Sequence, residues 1–381
     1  MANPMNASIV EHFRTLKDPR IERTKKHNLL DILVIALCTL LTGGEGFQDM
    51  ELFGKSQRAW LQTFLALPHG IPSHDTFGRV FARLNPQRFQ ECFLAWTRAV
   101  AQLTQGALVS LDGKTVKASF DRATASSPLH MVSAWCSEQG GLVMGQIKTD
   151  QKSNEITAIP ALLHLLAIKG CIVTIDAMGC QTAIAAQILD QGGDYLLALK
   201  NNHKKTYTAI TQYFHQQVEH NLPWRDADNF FDAFDNAHGR RVRRRVWVMT
   251  DLESLPALEK WPGLQAVIAV ETIRMAHKQA PVTSAYRFSL ASLLRSATAF
   301  VTMSRQHCDI AHKLHWSLDV TVNADRCRIR KDHAPENMVA MRHLTLNRLR
   351  QAHTRQMSLR QKKLLWSLDE HSLLTVLSRV S

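Results

Sequence analysis

The sequence predicts a mixed α/β core that follows a small all-α domain and is interrupted by a β-rich insertion. Apolar residues recur at three- and four-residue spacing from about Ile9 to Val100, which is typical of helices. After Gly106 the pattern changes to short β-branched runs that alternate with helical segments. A second β-rich stretch lies between about 201 and 299, and helical periodicity returns from Ser296. At 381 residues the chain is long enough for two or three structural units.

The longest apolar run, from Leu29 to Leu41, predicts a buried helix within the all-α domain. It contains Asp31 and is shorter than the roughly 20 residues that a membrane-spanning helix needs. Because the N-terminal residues lack the apolar region of a signal peptide, we expect a cytoplasmic protein. Later in the domain, a capped helix start is predicted, with Ser73 or Asp75 accepting hydrogen bonds from the first amides.

The order of elements after Gly106 predicts an RNase H-like sheet. The runs ALVSLDGKTV and MVSAWCSEQGGLVMGQIK give one strand and then two strands joined at a Gly-Gly turn. A helix is expected from Ile156 to Ile168, followed by a strand in CIVTID, a helix in AIAAQILDQ and a strand in DYLLALK. Strand, hairpin, helix, strand, helix and strand is the order of that fold.

The insertion contains three β-rich runs, RRVRRRVWVM, LQAVIAVETIRM and SAYRFSLASL. Alternation along the first run places Arg241, Arg243 and Arg245 on one face of a strand. These arginines are candidate DNA-binding residues, and a solvated basic edge is the alternative interpretation. The last fifty residues are predicted to be helical and basic, with Arg342, Arg348, Arg350, Arg355, Arg360, Lys362 and Lys363.

The charge of the chain indicates a polyanionic partner. Lys+Arg 46 against Asp+Glu 33 gives a formal net charge of +13. Such a charge attracts phosphate backbones, although it would serve DNA, RNA or an anionic membrane alike. The seven cysteines form no CxxC pair and no zinc spacing, so we expect reduced and mostly buried thiols.

Two aspartates at the ends of apolar runs are the candidate catalytic and metal-binding residues, Asp112 in VSLDGKT and Asp176 in VTIDAMGCQ. A carboxylate at the C-terminal end of a strand projects into the crevice where α/β sheets place their sites. Two such carboxylates can hold Mg²⁺ or Mn²⁺, and a pair of ions can promote phosphoryl transfer. Each aspartate alone is weak evidence because Asp-Gly is also a common turn. Both together, in this order of elements and on a basic chain, favour the site.

Six sequence blocks follow one another in the catalytic part: LDGKT, GQIKTDQKSNEITAIPALL, TIDAMGCQ, GGDYLLALKNNH, HGR at His238 and LHWSLDVTVNADRCRIRKDHAPENM. In this order they resemble the ISAs1 family, the H repeat-associated DDE transposases. The segments HNLLDILVIALCTLLTGGEGFQDMELFG and GIPSHDTFGRVFARLNPQRF resemble the helical domain that precedes the core in that family. The resemblance runs from about residue 10 to 350. It implies an RNase H-like catalytic fold and metal-dependent DNA cleavage and strand transfer at insertion-sequence ends.

By this resemblance Asp112 and Asp176 match the first two acids of the DDE triad, which binds two Mg²⁺ or Mn²⁺ ions. The third acid, a Glu in the pattern HWxIENxLHWxLDVxFxED, falls on Ala311 in HCDIAHKLHWSLDVTVNAD. Nearby, Cys308, His312 and Ala324 also depart from the family pattern. The resemblance therefore implies a transposase whose catalysis is impaired and whose second ion lacks a ligand. It also implies double-stranded DNA as a partner and a homo-oligomer.

No neighbouring residue is a convincing replacement for the missing acid. Asp309 lies about 200° around a helix from position 311, and Asp319 lies roughly 12 Å along its axis. Glu271 belongs to a predicted strand of the insertion and matches no family acid. His307 and His315 share the helix face of position 311, but imidazole suits softer metals than Mg²⁺.

Three other features have a structural interpretation. Ser153 or Asn154 is predicted to cap the helix that begins near Ile156, and Glu155 has a supporting active-site role as the alternative. Leu314 and Trp316 are predicted to pack within the helical region, and stacking on nucleic-acid bases is the alternative.

The sequence predicts three domains: a helical domain over 1–103, a catalytic domain over 104–350 with its insertion at about 201–299, and a basic helical tail over 351–381. Three hypotheses of function follow. The first is a catalytically silent transposase that still binds element ends, and the second is an active enzyme with a rearranged third ligand. The third is a host-adopted or relic DNA-binding protein without catalytic activity. The several departures near Ala311 favour the first hypothesis over the second.

Overall fold

The computed structural model describes residues 9–101, 103–119, 127–149, 155–218, 228–237, 240–275, 283–352 and 357–378. Its contacts divide the chain into two compact units that are discontinuous in sequence. Unit 1 comprises residues 1–102, 113–154 and 311–381, and unit 2 comprises residues 103–112 and 155–310. The two ends of the chain therefore belong to one unit.

The elements are numbered in chain order. The helices are α1 (Ile9–Phe13), α2 (Leu29–Thr42), α3 (Phe47–Ser56), α4 (Arg58–Leu61), α5 (His74–Arg83), α6 (Pro86–Val100), α7 (Glu155–Leu165), α8 (Thr182–Asp190), α9 (Lys204–Tyr213), α10 (Ala297–Asp309), α11 (Trp316–Val320), α12 (Ala334–Gln351), α13 (Leu359–Leu368) and α14 (Glu370–Ser378). The strands are β1 (Leu108–Val116), β2 (Leu129–Cys136), β3 (Leu142–Thr149), β4 (Ile172–Ile175), β5 (Asp194–Leu199), β6 (Phe230–Ala237), β7 (Arg240–Met249), β8 (Ala266–Met275) and β9 (Thr283–Ala291). Two π-helical segments, Phe214–Val218 and Ile310–His315, extend α9 and α10.

Helix α2 of unit 1 is buried along most of its length, as its apolar sequence predicts. Asp31 is 5% exposed, and its Oδ2 accepts a hydrogen bond from the Leu67 amide at 3.0 Å. Burial raises the pKa of this carboxyl group. In the described ranges no single helix is long and apolar enough to cross a membrane. The pair α2 and α3 would be long and apolar enough together, but the two helices are bent by 95° relative to each other.

The start of helix α5 differs from the sequence prediction. Ser73 occupies the N-cap position, but its side chain accepts no bond from the helix amides, and its hydroxyl instead bonds with Thr76 Oγ1 at 3.2 Å. The first amide, that of His74, donates to Glu51 Oε2 of α3 at 2.8 Å. A long-range carboxylate therefore supplies the cap that was predicted from the local sequence.

Helix α12 is the central element of unit 1. Asn337 Nδ2 donates to the carbonyls of Phe81 and Leu84 at the end of α5, at 2.8 and 3.0 Å. Asn347 makes two bonds with the backbone of Val143 in β3, donating to its carbonyl at 2.9 Å and accepting from its amide at 2.8 Å. Buried amide side chains thus fix α12 to a helix and to a strand.

Several basic residues near the C-terminus lie inside unit 1, unlike the charged surface that their sequence suggests. Lys362 Nζ donates to the carbonyls of Leu349 and Ala352 at the end of α12, both at 2.8 Å. Arg348 is 3% exposed, its guanidinium lies 5.4 Å from the Trp96 ring centre, and burial lowers its pKa to about 10. These cations stabilise helix ends and aromatic packing.

The two predicted packing residues near the π-helical segment have opposite outcomes. Leu314 is fully buried, as predicted. The prediction for Trp316 is wrong, because its side chain is 58% exposed. Val320, one helical turn later in α11, is 56% exposed as well, so this side of the short helix faces solvent.

The seven cysteines are free thiols, as predicted. Five of them are buried, whereas Cys308 is exposed and Cys327 is half-buried. Burial raises the pKa of Cys180 to about 12, so this thiol is unreactive at neutral pH.

Unit 2 contains a sheet with the strand order β1-β4-β5-β9-β8-β7-β6. β1, β4 and β5 are parallel, and β9 begins an antiparallel meander through β8 and β7 to β6. In unit 1 the second half of β1 neighbours the hairpin in the order β3-β2-β1, and Gly140 and Gly141 adopt the positive φ of the predicted Gly-Gly turn. The predicted fold class, an RNase H-like α/β core with a β-rich insertion and a preceding helical region, is confirmed.

The insertion extends the central sheet. It begins with helix α9 rather than with a strand, and its last strand β9 pairs with β5 from Leu196↔Ala291 to Leu199↔Phe288. Helix α10 then packs on the sheet, where Phe300 and Val301 join a buried cluster with Leu108, Ile172 and Leu196. This apolar cluster places α10 on the face to which these three strand residues point.

A buried histidine in α12 makes the stability of unit 1 depend on pH. His343 is 1% exposed, and in the described part of the chain neither ring nitrogen has a hydrogen-bond partner. Burial, together with the charges of His315, Lys114 and Arg342, lowers the pKa of His343 to about 3. Below its ordinary pKa near 6.5 the unfolded chain binds a proton that the folded unit rejects, so stability is lost as the pH falls.

We expect this histidine to decrease the free energy of unfolding by about 2 kcal/mol between pH 7 and pH 5. Urea denaturation of the wild type and of His343→Leu at both pH values measures the effect, and the variant should lose less stability on acidification. His371→Gln, which changes an exposed histidine of the same unit, is the control and should behave as the wild type does. Equal losses in His343→Leu and the wild type would contradict the prediction.

Candidate active site

The pairing of β1 with β4 brings the two candidate aspartates together. The strands are parallel, and the register runs from Leu108↔Ile172 to Leu111↔Ile175. Asp112 in β1 and Asp176 just after β4 directly follow the last pair of this register, so the pairing brings their backbones to the same end of the two strands. Both side chains are half-buried.

A buried hydroxyl pair identifies the face on which the aspartates lie. Ser110 and Thr174 are paired in the register, and Thr174 Oγ1 donates to Ser110 Oγ at 3.0 Å. Each residue precedes its aspartate by two positions, and Asp176 keeps an extended backbone. Because side chains alternate along a strand, Asp112 and Asp176 share the face of this pair.

The turn after β4 orients Asp176. Its Oδ1 accepts a hydrogen bond from the Met178 amide at 3.0 Å, which caps a short 3-10 helix. Gly179 is needed in this turn, since a Cβ there would lie 2.3 Å from Ile175 Cγ2. One carboxylate oxygen is therefore engaged by the backbone, and the capping bond leaves Oδ2 to other partners.

The strand β1 differs from the sequence prediction beyond its apolar run. Asp112 was expected at the end of a strand, but β1 continues to Val116. The pairing with β4 ends at Leu111, and β1 has a second neighbour, β2, on its other side, which supports its continuation past Asp112.

The last turn of α10 reaches the face that carries the aspartates. His307 Nδ1 is 2.9 Å from Thr174 Oγ1. Burial lowers the pKa of His307, the charge of Asp176 raises it, and the charge of Lys200 lowers it. Sequence reasoning assigned His307 no such contact. A signal was present in the sequence, because a polar residue stands two positions before the aspartate in both VSLD and VTID.

Position 311 carries no ligand for a hard cation. Ala311 is exposed and lies in the π-helical segment Ile310–His315. Asp319 forms an ion pair with Lys114, with Nζ 2.8 Å from Oδ1, and Asp325 lies 3.5 Å from the same Nζ. Burial lowers the pKa of His315 to about 4, so this imidazole is neutral at pH 7.

Glu155 and the predicted cap of α7 belong to one of the sequence blocks. Glu155 is the first residue of α7 and is 6% exposed. Lys152, Ser153 and Asn154, with the predicted cap, lie outside the described residues, as do His238 and Gly239 of the HGR block.

The oxygens of Asp112 and Asp176 suit a hard divalent cation such as Mg²⁺ or Mn²⁺, with water completing the coordination. Over the described ranges, no group of three His, Cys, Asp or Glu side chains is placed to hold a metal ion.

The arginines of β7 make ion pairs within the insertion. Arg243 binds Asp232 with two hydrogen bonds, of 2.8 and 2.5 Å, and its guanidinium lies 5.4 Å from the Phe234 ring centre. Arg244 on the opposite face donates to Asp235 at 2.9 Å. The side chain of Arg241 lies outside the described part of the structure. Much of the positive charge on this strand is thus balanced locally.

Arg245 has the most buried carboxylate partner on the strand. Its Nε donates to Oε2 of Glu271 at 2.5 Å, and Glu271 is 3% exposed. Ser284 Oγ donates to the other oxygen, Oε1, at 2.6 Å. The Arg245 guanidinium also lies 5.2 Å from the Trp247 ring centre. Glu271 is therefore engaged in a structural ion pair and is not a replacement for the third acid.

Two family models match the chain. The model described as Transposase DDE domain matches residues 104–348, and the model described as DDE_Tnp_1-associated matches residues 10–97. The chain is 36% identical over 374 residues to the "H repeat-associated putative transposase YhhI" of Escherichia coli (strain K12), with 97% of each chain covered. It is 35% identical over 345 residues to the "Putative transposase YncI" of Escherichia coli O157:H7, covering 90% of this chain and 87% of that one.

A solved structure is also similar. A chain of the cryo-EM structure of the piggyBac transposase synaptic complex with hairpin DNA aligns with a TM-score of 0.44 at 10% identity. The alignment covers 98% of this chain and 82% of that chain.

The two arginine pairs of β7 should contribute unequally to stability. Arg245→Ala leaves the buried Glu271 carboxylate without its cation, and we expect the free energy of unfolding to fall by about 3 kcal/mol or more. Arg243→Ala breaks a pair whose side chains are 36% and 25% exposed, and we expect a loss under about 1 kcal/mol. Urea denaturation of the two variants measures the difference. The double variant Arg245→Ala, Glu271→Gln should recover part of the loss, and equal effects of the two single variants would contradict the prediction.

Proposed function

The chain belongs to the H repeat-associated family of DDE transposases, and from this membership we propose that it binds insertion-sequence DNA while its strand-cleavage chemistry is impaired at position 311. The observation that supports the proposal is the β1–β4 register, whose last pair directly precedes Asp112 and Asp176, combined with a methyl group at residue 311. By the family pattern, Asp112 and Asp176 match the first two acids of the triad, and Ala311 stands in place of the third. A transposase with these residues keeps two of its three metal-binding carboxylates and lacks the negative charge of the third.

The chemistry rests on two carboxylates. Asp112 and Asp176 would hold one Mg²⁺ or Mn²⁺ ion, which when bound would supply positive charge to the oxygens of a phosphodiester undergoing displacement. Asp176 offers Oδ2, since its Oδ1 accepts from the Met178 amide. A second ion would have fewer oxygen ligands than hard cations require, so the leaving oxygen would be poorly stabilised.

DNA is the proposed partner, at insertion-sequence ends and at the target. The net charge of +13 supports a polyanionic ligand, and family membership selects DNA among the polyanions. A cytoplasmic location and a homo-oligomeric state are parts of the same proposal. The face of Arg241, Arg243 and Arg245 is proposed to contact phosphates. On binding, Arg243 and Arg245 would either leave their carboxylate partners for a DNA phosphate or contact both at once.

A relic or host-adopted DNA-binding protein is the second candidate. The departures from the family pattern near Ala311, at Cys308, His312 and Ala324, fit this candidate as well as they fit a silent transposase. Several losses in one segment indicate drift rather than the replacement of a single ligand. The DNA beside the gene discriminates the two, because intact terminal inverted repeats indicate a mobile element.

Wild-type protein should show little Mg²⁺- or Mn²⁺-dependent nicking of DNA that carries its element ends. Ala311→Glu should raise the nicking rate by roughly 100-fold, because it restores a carboxylate for transition-state charge stabilisation. The control Asp112→Asn in the Ala311→Glu background should abolish the gain. Robust nicking by the wild type that depends on Asp112 and Asp176 would show instead that another residue has taken the third place.

The arginines on the face of β7 should contribute to DNA affinity and to its dependence on salt concentration. Replacing Arg241 and Arg243 by alanine, while keeping Arg245 for the sake of Glu271, should weaken binding to any duplex. The slope of log K against log salt should become shallower by about one unit per lost phosphate contact, up to about two. Lys260→Ala removes an exposed charge elsewhere in unit 2 and serves as the control. An unchanged slope in the double variant would show that Arg241 and Arg243 are solvated and do not contact DNA phosphates.

A further inference from the structure

A chain of three polar side chains connects the two aspartate-bearing strands to helix α10. Ser110 of β1 is fully buried, Thr174 of β4 is 1% exposed, and the Thr174 hydroxyl donates to Ser110 Oγ at 3.0 Å. His307 Nδ1 of α10 lies 2.9 Å from the same Thr174 oxygen. All three residues belong to unit 2, as Asp112 and Asp176 do. The chain starts two residues before each aspartate and ends in the last turn of the helix.

The hydrogen-bond inventory of a threonine fixes the proton of the histidine. A threonine hydroxyl has one hydrogen, and here that hydrogen is donated to Ser110. Thr174 Oγ1 must therefore act as an acceptor toward His307, so Nδ1 carries the proton and Nε2 does not. Burial lowers the pKa of His307, which agrees with a neutral ring. The ring is thus held as one tautomer in one orientation.

His307 lies in the last turn of α10, so its bond to Thr174 fixes the end of this helix. The first turns of α10 are held by apolar contacts of Phe300 and Val301, and Arg305 donates to Asp235 of β6 at 2.5 Å. His307 holds the last turn, immediately before the π-helical segment that begins at Ile310. Residue 311, which follows Ile310, is the position at which the family pattern has its third acid.

We propose that His307 is a positioning residue of the Asp112–Asp176 site, which fixes the last turn of α10 on the aspartate-bearing face through its Nδ1–H bond to Thr174. The inference rests on the proposed function, because it assigns His307 a task in the same site. His307 acts through Thr174 and not on a metal ion or DNA directly. It holds the last turn of α10, which precedes position 311 in the sequence.

The first test measures the tautomer and does not depend on activity. Full-length wild-type protein labelled with ¹⁵N in its histidines should show, in long-range ¹H–¹⁵N spectra, one ring protonated at Nδ1 that disappears in His307→Asn. Thr174→Val, which keeps the shape of the side chain and removes the acceptor, should shift that ring toward the Nε2–H form. Thr302→Val removes an exposed hydroxyl of α10 that bonds to the Thr298 carbonyl, and it should leave the signal unchanged. A majority of Nε2–H in the wild type, or no change in Thr174→Val, would overturn the proposal.

The second test measures positioning in the Ala311→Glu background. His307→Ala and Thr174→Val should each reduce nicking by about threefold to tenfold, the value of one neutral hydrogen bond. His307→Asn, whose Nδ2 can replace the Nδ1–H donor, should retain most of the activity. Equal losses in His307→Asn and His307→Ala would overturn the positioning role and point to the ring itself. If Ala311→Glu shows no nicking, the assignment of the impairment to position 311 alone fails, and the tautomer measurement still decides the Thr174 bond.

Discussion

The parallel register between β1 and β4 is the constraint on which the candidate site depends. Leu111 pairs with Ile175, and each is followed at once by an aspartate. A slip of one residue would turn one carboxylate to the opposite face of the sheet, because side chains alternate along a strand. The register is held by buried apolar pairs on both faces and by the Ser110–Thr174 bond, which itself requires the observed alignment. Stability of the core and proximity of the two acids therefore come from the same pairing.

Much of the α/β core could be predicted because its information is local. The apolar runs before Asp112 and Asp176 are strands, and the Gly-Gly turn separates two strands as its sequence suggests. Features that depend on distant partners were not visible in the sequence. Glu51 caps α5 from 23 residues away, and Glu271 neutralises Arg245 from 26 residues away. The continuation of β1 beyond Asp112 likewise depends on a neighbouring strand that the local pattern does not specify.

Net charge overstates the positive surface that is available to a nucleic acid. Arg348 and Lys362 lie inside unit 1 and donate to carbonyls, and Arg243 and Arg245 are paired with acids of the insertion. A cation that is committed to a buried carboxylate costs more to redirect toward phosphate than an exposed one does. Charge counted along the sequence is thus a guide to the class of partner, while the contacts of each side chain determine which residues are free to meet it.

The discontinuity of unit 1 has a consequence for synthesis on the ribosome. Helix α5 is anchored by Asn337 of α12, whose partner Phe81 stands 256 residues earlier in the chain. At roughly 5 to 20 residues per second, the earlier helices wait on the order of 10 to 50 s for that partner to emerge. Unit 2 ends at residue 310, so it can close before the nascent chain is complete. The N-terminal helices, although made first, are among the last parts of the protein to reach their final packing.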